Sequence, residues 1–418
     1  MNIGLIGFGV SNKAVYEHFK KNHSICVHNE NKIPVPEGVK AAFGKEYLNC
    51  DEDMVFRSPS VRQDRIKTHS PVFCEATYAL DKLRGTKICI TGSDGKTTTS
   101  SLIYEALKCK NAYLGGNIGK PLINAIGAGY DYIVAELSSF QLMEAQPVCD
   151  VAIITGITEN HLNYHTDMEE YISAKENLLR GAGRIILNYD DEILRRLGKK
   201  YDNVCYFSLN SPCDAYVKDG YFCLRGKRLF STDKIRLRGK FNLLNVLACI
   251  LATYEYASQT EIENAICNFR GVDNRLQLVR ELNNVKFYNS SADSTPSRTA
   301  STLSAFDKDR TVIILGGSDK NLSYDILGKE LEGIRAVILL GENKNKILAS
   351  INKYVNKIYI VNDINEAVTL GYSLCKTGDS LLLSPASASF DMFSSYKERG
   401  EQFKKAVQNI SKMMAADR

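Results

Sequence analysis

Short apolar runs alternate with helix-period segments from one end of the chain to the other. Runs such as Lys87-Ile88-Cys89-Ile90 and Val151-Ala152-Ile153-Ile154 suit strands buried on both faces, and the stretches between them are long enough for crossover helices. The pattern predicts an α/β fold of mainly parallel sheets in three domains. Residues 1–85 open with a strand at 3–6, the tight turn Gly7-Phe8-Gly9, a helix over 13–20 and strands at 24–28 and 54–56, a small Rossmann-like unit. Residues 86–271 open with a strand at 87–90 and a Gly-rich loop, as a P-loop ATPase-like sheet does. Strands at 132–135, 151–154 and 185–187 follow, and Asp219-Gly220 and Arg225-Gly226 mark a hairpin section. Residues 272–418 carry strands at 285–288, 311–315, 336–340, 358–361 and 380–383, a second Rossmann-like pattern. There Thr295-Pro296 reads as an N-cap with proline at the first helical position, and the chain ends in a charged amphipathic helix.

Composition narrows the function classes. A chain of 418 residues with 44% hydrophobic and 24% charged residues is an ordinary globular balance. A net charge of +5 is too mild to indicate nucleic acid and suits an anionic small substrate. No apolar run approaches membrane-spanning length, and Met1-Asn2-Ile3-Gly4 enters a strand at once, so a cytoplasmic protein with no signal peptide and no membrane partner is expected. The 12 cysteines are scattered without a Cys-x-x-Cys pair, which predicts buried free thiols rather than disulfides or a zinc site.

The sharpest local signal is Thr91-Gly92-Ser93-Asp94-Gly95-Lys96-Thr97-Thr98, set between a buried strand and a helix with Leu102, Ile103, Ala106 and Leu107 on one face. Glycines let the backbone curl until its N–H groups converge on phosphate oxygens, and the helix N-terminus favours the anion. Lys96 is expected at the β/γ-phosphates of ATP and the Thr97 hydroxyl on Mg²⁺, with the other residues of the loop completing the cradle. Its spacing is tighter than Gly-x4-Gly-Lys-Ser/Thr. Glu136 ends a buried strand, where a carboxylate can hold Mg²⁺, and His161 follows the next strand as an imidazole ligand or a plain surface residue. Read from the residues alone, Lys175 is a solvated helix lysine, Asn242 and Asn245 are helix caps, and Arg275 is a linker residue. Gly7-Phe8-Gly9-Val10-Ser11-Asn12 has two glycines of a dinucleotide fingerprint but Asn12 at the third, an incomplete case for a nicotinamide cofactor.

The shortened loop resembles that of the Mur ligases and their relatives, the folylpolyglutamate synthases. Gly115-Gly116-Asn117-Ile118-Gly119-Lys120-Pro121, Glu136-Leu137-Ser138-Ser139-Phe140-Gln141-Leu142, Thr158-Glu159-Asn160-His161-Leu162 and Gly239-Lys240-Phe241-Asn242-Leu243-Leu244-Asn245 are similar to the D-glutamate-adding Mur branch. So are Leu383-Ser384-Pro385-Ala386-Ser387-Ala388-Ser389-Phe390-Asp391 and Arg399-Gly400-Glu401-Gln402-Phe403. The resemblance implies an ATP-dependent amide-forming ligase, a monomer, acting on UDP-N-acetylmuramoyl-L-alanine and D-glutamate. It implies a carbamylated Lys175 whose new carboxylate binds a second metal beside Thr97, Glu136 and His161. By the same resemblance, Asn242, Asn245 and Arg275 contact ATP. Gly9, Ser11 and Ser58 hold the UDP part, and Asn117 and Ser138 lie toward the muramoyl end. Ser294, Lys320, Ser389 and Tyr396 form the amino-acid pocket. Two departures stand out. Glu30 lies near Asn29 where an Arg is frequent in the family. In Asn289-Ser290-Ser291-Ala292-Asp293-Ser294, Ser290 stands where the family has Asp and Ala292 where many relatives have Lys. Asp293 then either replaces the missing carboxylate and holds ATP, or supports the helix that Thr295 caps.

The implied reaction is phosphoryl transfer from ATP to a carboxylate, then attack of an amine on the acyl phosphate. Closure of the third domain is expected to exclude water from that intermediate. The rival readings are another Mur-type or folylpolyglutamate-type specificity, a nicotinamide-dependent oxidoreductase, and a non-catalytic nucleotide-binding protein.

Overall fold

A computed structural model describes residues 1–161, 164–319 and 322–416 of the chain. They form three sheets in two compact units, Met1–Ile235 with Phe241–Phe269, and Arg236–Lys240 with Arg270–Arg418.

The first sheet contains β1 (Asn2–Ile6), β2 (Ser24–Asn29), β3 (Lys40–Phe43), β4 (Met54–Arg57) and β5 (Val72–Phe73), ordered β3-β2-β1-β4-β5 and wholly parallel. Helix α1 (Val10–Phe19) starts directly after the turn rather than at residue 13, and Gly7 takes φ +77° to make that turn. Asn12 is buried where a third glycine was sought. Its amide donates to the carbonyls of Ile6 and Gly7 at 2.9 and 2.8 Å, so it fastens the turn to the strand end.

The second sheet begins with β6 (Thr86–Thr91), β7 (Ala112–Gly116), β8 (Tyr132–Glu136), β9 (Cys149–Ile154), β10 (Ala182–Asn188) and β11 (Val204–Ser208). It ends with β12 (Ala215–Lys218), β13 (Tyr221–Leu224) and β14 (Lys227–Ser231). The order is β14-β13-β12-β11-β10-β9-β6-β8-β7, parallel from β7 to β12 and antiparallel through the hairpins read from the sequence. Chain order reverses about β6, and in such sheets ligands bind at the carboxyl ends of the strands flanking the reversal. Helix α3 (Lys96–Leu107) leaves the loop after β6 and buries Leu102, Ile103 and Leu107 completely. Each of these contributes about 1.5–3 kcal/mol to holding the helix on the sheet.

Four polar clamps join the first two sheets within their unit. Helix α2 (Glu75–Lys82) places Glu75 Oε1 2.7 Å from the Ile123 N–H. Arg57 donates to the Phe140 carbonyl at 2.9 Å, and the Tyr164 hydroxyl donates to the Pro59 carbonyl at 3.1 Å. Arg62 forks onto both oxygens of Glu170 at 3.0 Å and holds that carboxyl down to about 2.

The third sheet contains β15 (Gln277–Leu282), β16 (Val285–Asn289), β17 (Thr311–Leu315), β18 (Ala336–Leu339), β19 (Ile358–Ile360) and β20 (Ser380–Leu383), ordered β15-β16-β20-β17-β18-β19. Only β15, which the sequence pattern does not reveal, runs antiparallel to its neighbour. The helix Pro296–Leu303 starts as expected, but its N-cap Thr295 makes no side-chain capping bond.

Candidate active site

The carboxyl ends of β6, β8 and β9 carry the phosphate loop, Glu136 and the segment from Thr155 to His161. Loop glycines are dictated by close approach. At Gly92, φ is +148° and a Cβ would lie 2.0 Å from Thr155 Oγ1; at Gly95, φ is +80° and a Cβ would lie 2.4 Å from Asn245 Oδ1. The Thr155 hydroxyl donates to the Asp94 carbonyl at 2.5 Å, and Ser93 Oγ lies 2.8 Å from the Tyr171 hydroxyl. Thr99 Oγ1 donates to Asn245 Oδ1 at 3.2 Å, and Asn245 Nδ2 donates to Asn242 Oδ1 at 3.0 Å. The two asparagines therefore brace the loop from behind. Lys96 Nζ lies 2.5 Å from the Gly92 carbonyl and 2.9 Å from that of Ser93, Thr97 is buried, and Asp94 is exposed.

The reading of Lys175 as a solvated helix residue is overturned. It lies near the end of α5 (Met168–Glu176) and is only 1% exposed. Its ammonium position is 3.0 Å from the Gly92 carbonyl, 3.5 Å from Thr91 Oγ1 and 4.6 Å from the Tyr171 ring centroid. Burial, followed by Lys96, pushes its pKa well below the usual lysine value, while Asp94 and Glu136 pull the other way. Its cationic form is therefore disfavoured relative to that of a solvated lysine.

Glu136 is 1% exposed and ends β8. Its Oε1 accepts from Asn117 Nδ2 at 2.8 Å, and its Oε2 is buried without a hydrogen-bond partner among the described residues. A carboxylate oxygen in that state fits a cation better than it fits packing. An oxygen donor of this kind suits a hard divalent cation. His161 is exposed, takes φ +59°, and stands edge-on to Phe140 at 4.9 Å and 6.4 Å from the Tyr171 ring. Thr155, Tyr171 and the buried His165, 2.9 Å from Ser139 Oγ, were not singled out in the sequence. Thr155 directly follows a predicted strand, and Tyr171 lies one helical turn before Lys175, so position alone could have found both.

Elsewhere in this unit, Gly9 is the N-cap of α1, exposed and with open space where a Cβ would stand. Ser11 is half-buried in the first turn, and Ser58 packs against Gly7. Ser138 caps α4 (Ser139–Leu142) in a capping box with Gln141, which accounts for its hydroxyl.

In the second unit, the carboxyl ends of β16, β17 and β20 form their own cradle. Arg399, buried in the last helix, donates to Ser291 Oγ and O at 2.9 and 2.8 Å and to the Ala388 carbonyl at 3.0 Å. The sequence reading quoted it within a family string but gave it no role. Asp293 turns inward: its Oδ2 accepts from Ser384 Oγ at 2.7 Å and from Thr302 Oγ1 at 2.8 Å. Burial pushes its carboxyl up, against the pull of Ser290, Ser384 and Thr302. Thr302 lies in the last turn of the helix Pro296–Leu303, so these bonds reach the far end of that helix and not its N-terminus. Ser294 is half-buried, Ser389 buried, and Arg275 and Tyr396 exposed, while Lys320 lies outside the described residues.

Comparisons with known proteins agree with this geometry. The family model described as "Mur ligase middle domain" matches residues 90–253, and "Mur ligase, glutamate ligase domain" matches residues 274–387. The UDP-N-acetylmuramoylalanine–D-glutamate ligase of Clostridium tetani is 35% identical, covering 98% of this chain and 96% of its own. That of Ruminiclostridium cellulolyticum is 36% identical over 97% and 93%. Among solved structures, the UDP-N-acetylmuramate-alanine ligase of Thermotoga maritima superposes with a TM-score of 0.63 at 21% identity, covering 98% and 99%, which supports the fold. Full-length similarity at this level, joined to a phosphate loop with a buried lysine beside it, identifies the chain as an ATP-dependent ligase that belongs to the Mur ligase family.

Proposed function

We propose that this ligase adds D-glutamate to UDP-N-acetylmuramoyl-L-alanine, forming an amide with release of ADP and phosphate in the synthesis of a peptidoglycan precursor. Similarity to the named ligases of Clostridium tetani and Ruminiclostridium cellulolyticum across nearly the whole chain carries the reading. A carboxylate does not condense with an amine unaided, because its leaving group is oxide. Transfer of the ATP γ-phosphoryl group to the substrate carboxylate converts that oxygen into phosphate. The amine of D-glutamate then attacks the acyl carbon, loses a proton, and phosphate departs. Lys96 and the amides of the loop residues Gly92 to Thr98 stabilise charge on the transferring group. Thr97 and Glu136 would hold Mg²⁺, which when bound offsets phosphate charge. Lys175, whose neutral form burial favours, is suited to take up CO₂ with its proton passing to solvent, and the carbamate would supply a second carboxylate for a metal, with His161 as a further ligand.

Ser294, Lys320, Ser389 and Tyr396 are assigned to the amino-acid side, Gly9, Ser11 and Ser58 to the uridine diphosphate side, and Asn117 to the muramoyl side. Asn242, Asn245 and Arg275 serve the nucleotide. Domain limits at 1–85, 86–271 and 272–418, a monomeric state and a cytoplasmic location complete the proposal; no helix among the described residues is long and apolar enough to cross a membrane. The test is a coupled phosphate-release assay. Release should require ATP, Mg²⁺, the UDP-muramoyl substrate and D-glutamate together. Equal release with L-alanine, L-lysine or diaminopimelate in place of D-glutamate would refute the specificity.

A further inference from the structure

The first sheet carries a cluster of ligand-type side chains that the ligase chemistry does not use. Cys26 and His28 alternate on β2, so both point to one face of the sheet. Cys50 packs with Ile6 and Val55 of that face, and from the same covering segment Glu52 reaches over β1. A Cβ on Gly4 would stand 2.9 Å from Glu52 Oε2, so the glycine leaves the carboxylate its room. One donor atom from each of Cys26, His28 and Glu52 lies within 4.8 Å of the others. His28 is 4% exposed, and its Nε2 is 2.9 Å from Glu52 Oε1. The other two polar atoms, His28 Nδ1 and Glu52 Oε2, are buried with no hydrogen-bond partner among the described residues.

We propose that Cys26, His28 and Glu52 form a site for a thiophilic divalent cation of the zinc class, separate from the Mg²⁺ chemistry of the phosphate loop. A sulfur–nitrogen–oxygen set selects zinc-like ions over magnesium, which prefers oxygen alone. Bond lengths of about 2.0–2.3 Å in a tetrahedron put donor atoms roughly 3.3–3.6 Å apart, which small side-chain rotations reach from the observed spread. Three protein donors leave the fourth position to water. On binding, the sulfur–metal bond forms and the thiol proton passes to solvent. The occupied site would stiffen the end of β2, whose His28 carbonyl accepts from the Gly7 N–H at 2.8 Å and so anchors the Gly7-Phe8-Gly9 turn.

Full-length protein, reduced and stripped with chelator, is titrated with Co²⁺ in excess Mg²⁺. One equivalent should produce a near-ultraviolet thiolate-to-cobalt absorption that Zn²⁺ displaces. Cys26→Ser should abolish the absorption and weaken Zn²⁺ binding by more than the roughly 10–100-fold that losing an outer-shell partner costs. Glu52→Gln keeps the side-chain volume and a hydrogen bond to His28, so it should fold normally by circular dichroism and still lose Zn²⁺ affinity by about tenfold or more. Absence of the absorption in the wild type, or its persistence in Cys26→Ser, would overturn the proposal. None of these readouts needs ATP or a muramoyl substrate, so the result is independent of the ligase assignment.

Discussion

Lys175 and Asp293 are both ionisable side chains taken out of water, one in each compact unit, and their surroundings differ. Asp293 receives two hydroxyl hydrogen bonds at 2.7 and 2.8 Å on one oxygen. Those bonds oppose its desolvation without cancelling it, and the carboxyl ties the end of β20 to the helix Pro296–Leu303. Lys175 has one good acceptor at 3.0 Å, a marginal one at 3.5 Å, and a second lysine acting on its charge. Burial therefore disfavours its cationic form more than these partners favour it, which raises the share of neutral amine. A buried charge with a full set of partners braces structure; one left short of partners is available for chemistry. Glu136 belongs with Lys175, because its Oε2 is buried with no hydrogen-bond partner among the described residues.

The contrast can be broken by substitution. On the reactive side, Lys96→Ala should lower kcat by about three orders of magnitude, as loss of charge stabilisation at the transferring phosphoryl group implies, with the fold intact by circular dichroism. Near-normal turnover would remove the phosphate loop from the mechanism. Lys175→Ala should reduce kcat by about 100-fold or more, and short carboxylic acids added to the assay should restore part of it. Full activity without rescue would return this lysine to a packing role. On the braced side the pattern should invert. Asp293→Ala removes the acceptor of the buried Thr302 hydroxyl and leaves Ser384 only Thr299, at a cost of about 1–3 kcal/mol, which lowers the Tm by roughly 2–8 °C and leaves the KM for ATP within about twofold. A 10- to 100-fold rise in that KM (about 1.4–2.8 kcal/mol) with an unchanged Tm would assign Asp293 to the nucleotide instead.

The smallest effect concerns Glu75, an intermediate case with one oxygen bonded to the Ile123 N–H and the other unpartnered among the described residues. Burial pushes its carboxyl up to about 7, above the value an unfolded chain would have. The folded state then holds the proton more tightly. The stabilisation is fully present at acidic pH and is lost as pH rises through the folded value. Wild-type Tm should therefore decline between about pH 5 and pH 8 more steeply than that of Glu75→Gln. Parallel pH profiles for the two would contradict this.

What the chain revealed in advance follows the same division. Strand positions and the phosphate loop were legible because a buried parallel strand is a short apolar run and a phosphate cradle needs glycines at fixed spacing. β15 was not, since its residues are half-buried without a clean alternation, and neither were β3, β5, β7 and β11. Lys175 was misread from the residues because an isolated helix cannot say which face the sheet will cover, and only the family resemblance marked it. Arg399 was given no role and Thr155 was missed for a related reason: their partners Ser291 and Asp94 are distant in sequence. The scattered cysteines looked inert because His28 and Glu52, whose side chains meet in the fold, are 24 residues apart.

The most direct test of the claim that Lys175 is held as a reactive amine is ¹³C NMR of the enzyme equilibrated with ¹³C-bicarbonate. A carbamate resonance should appear in the wild type, vanish in Lys175→Ala, and persist in Lys96→Ala. A fully active wild-type enzyme with no such resonance, or one that survives in Lys175→Ala, would contradict the account.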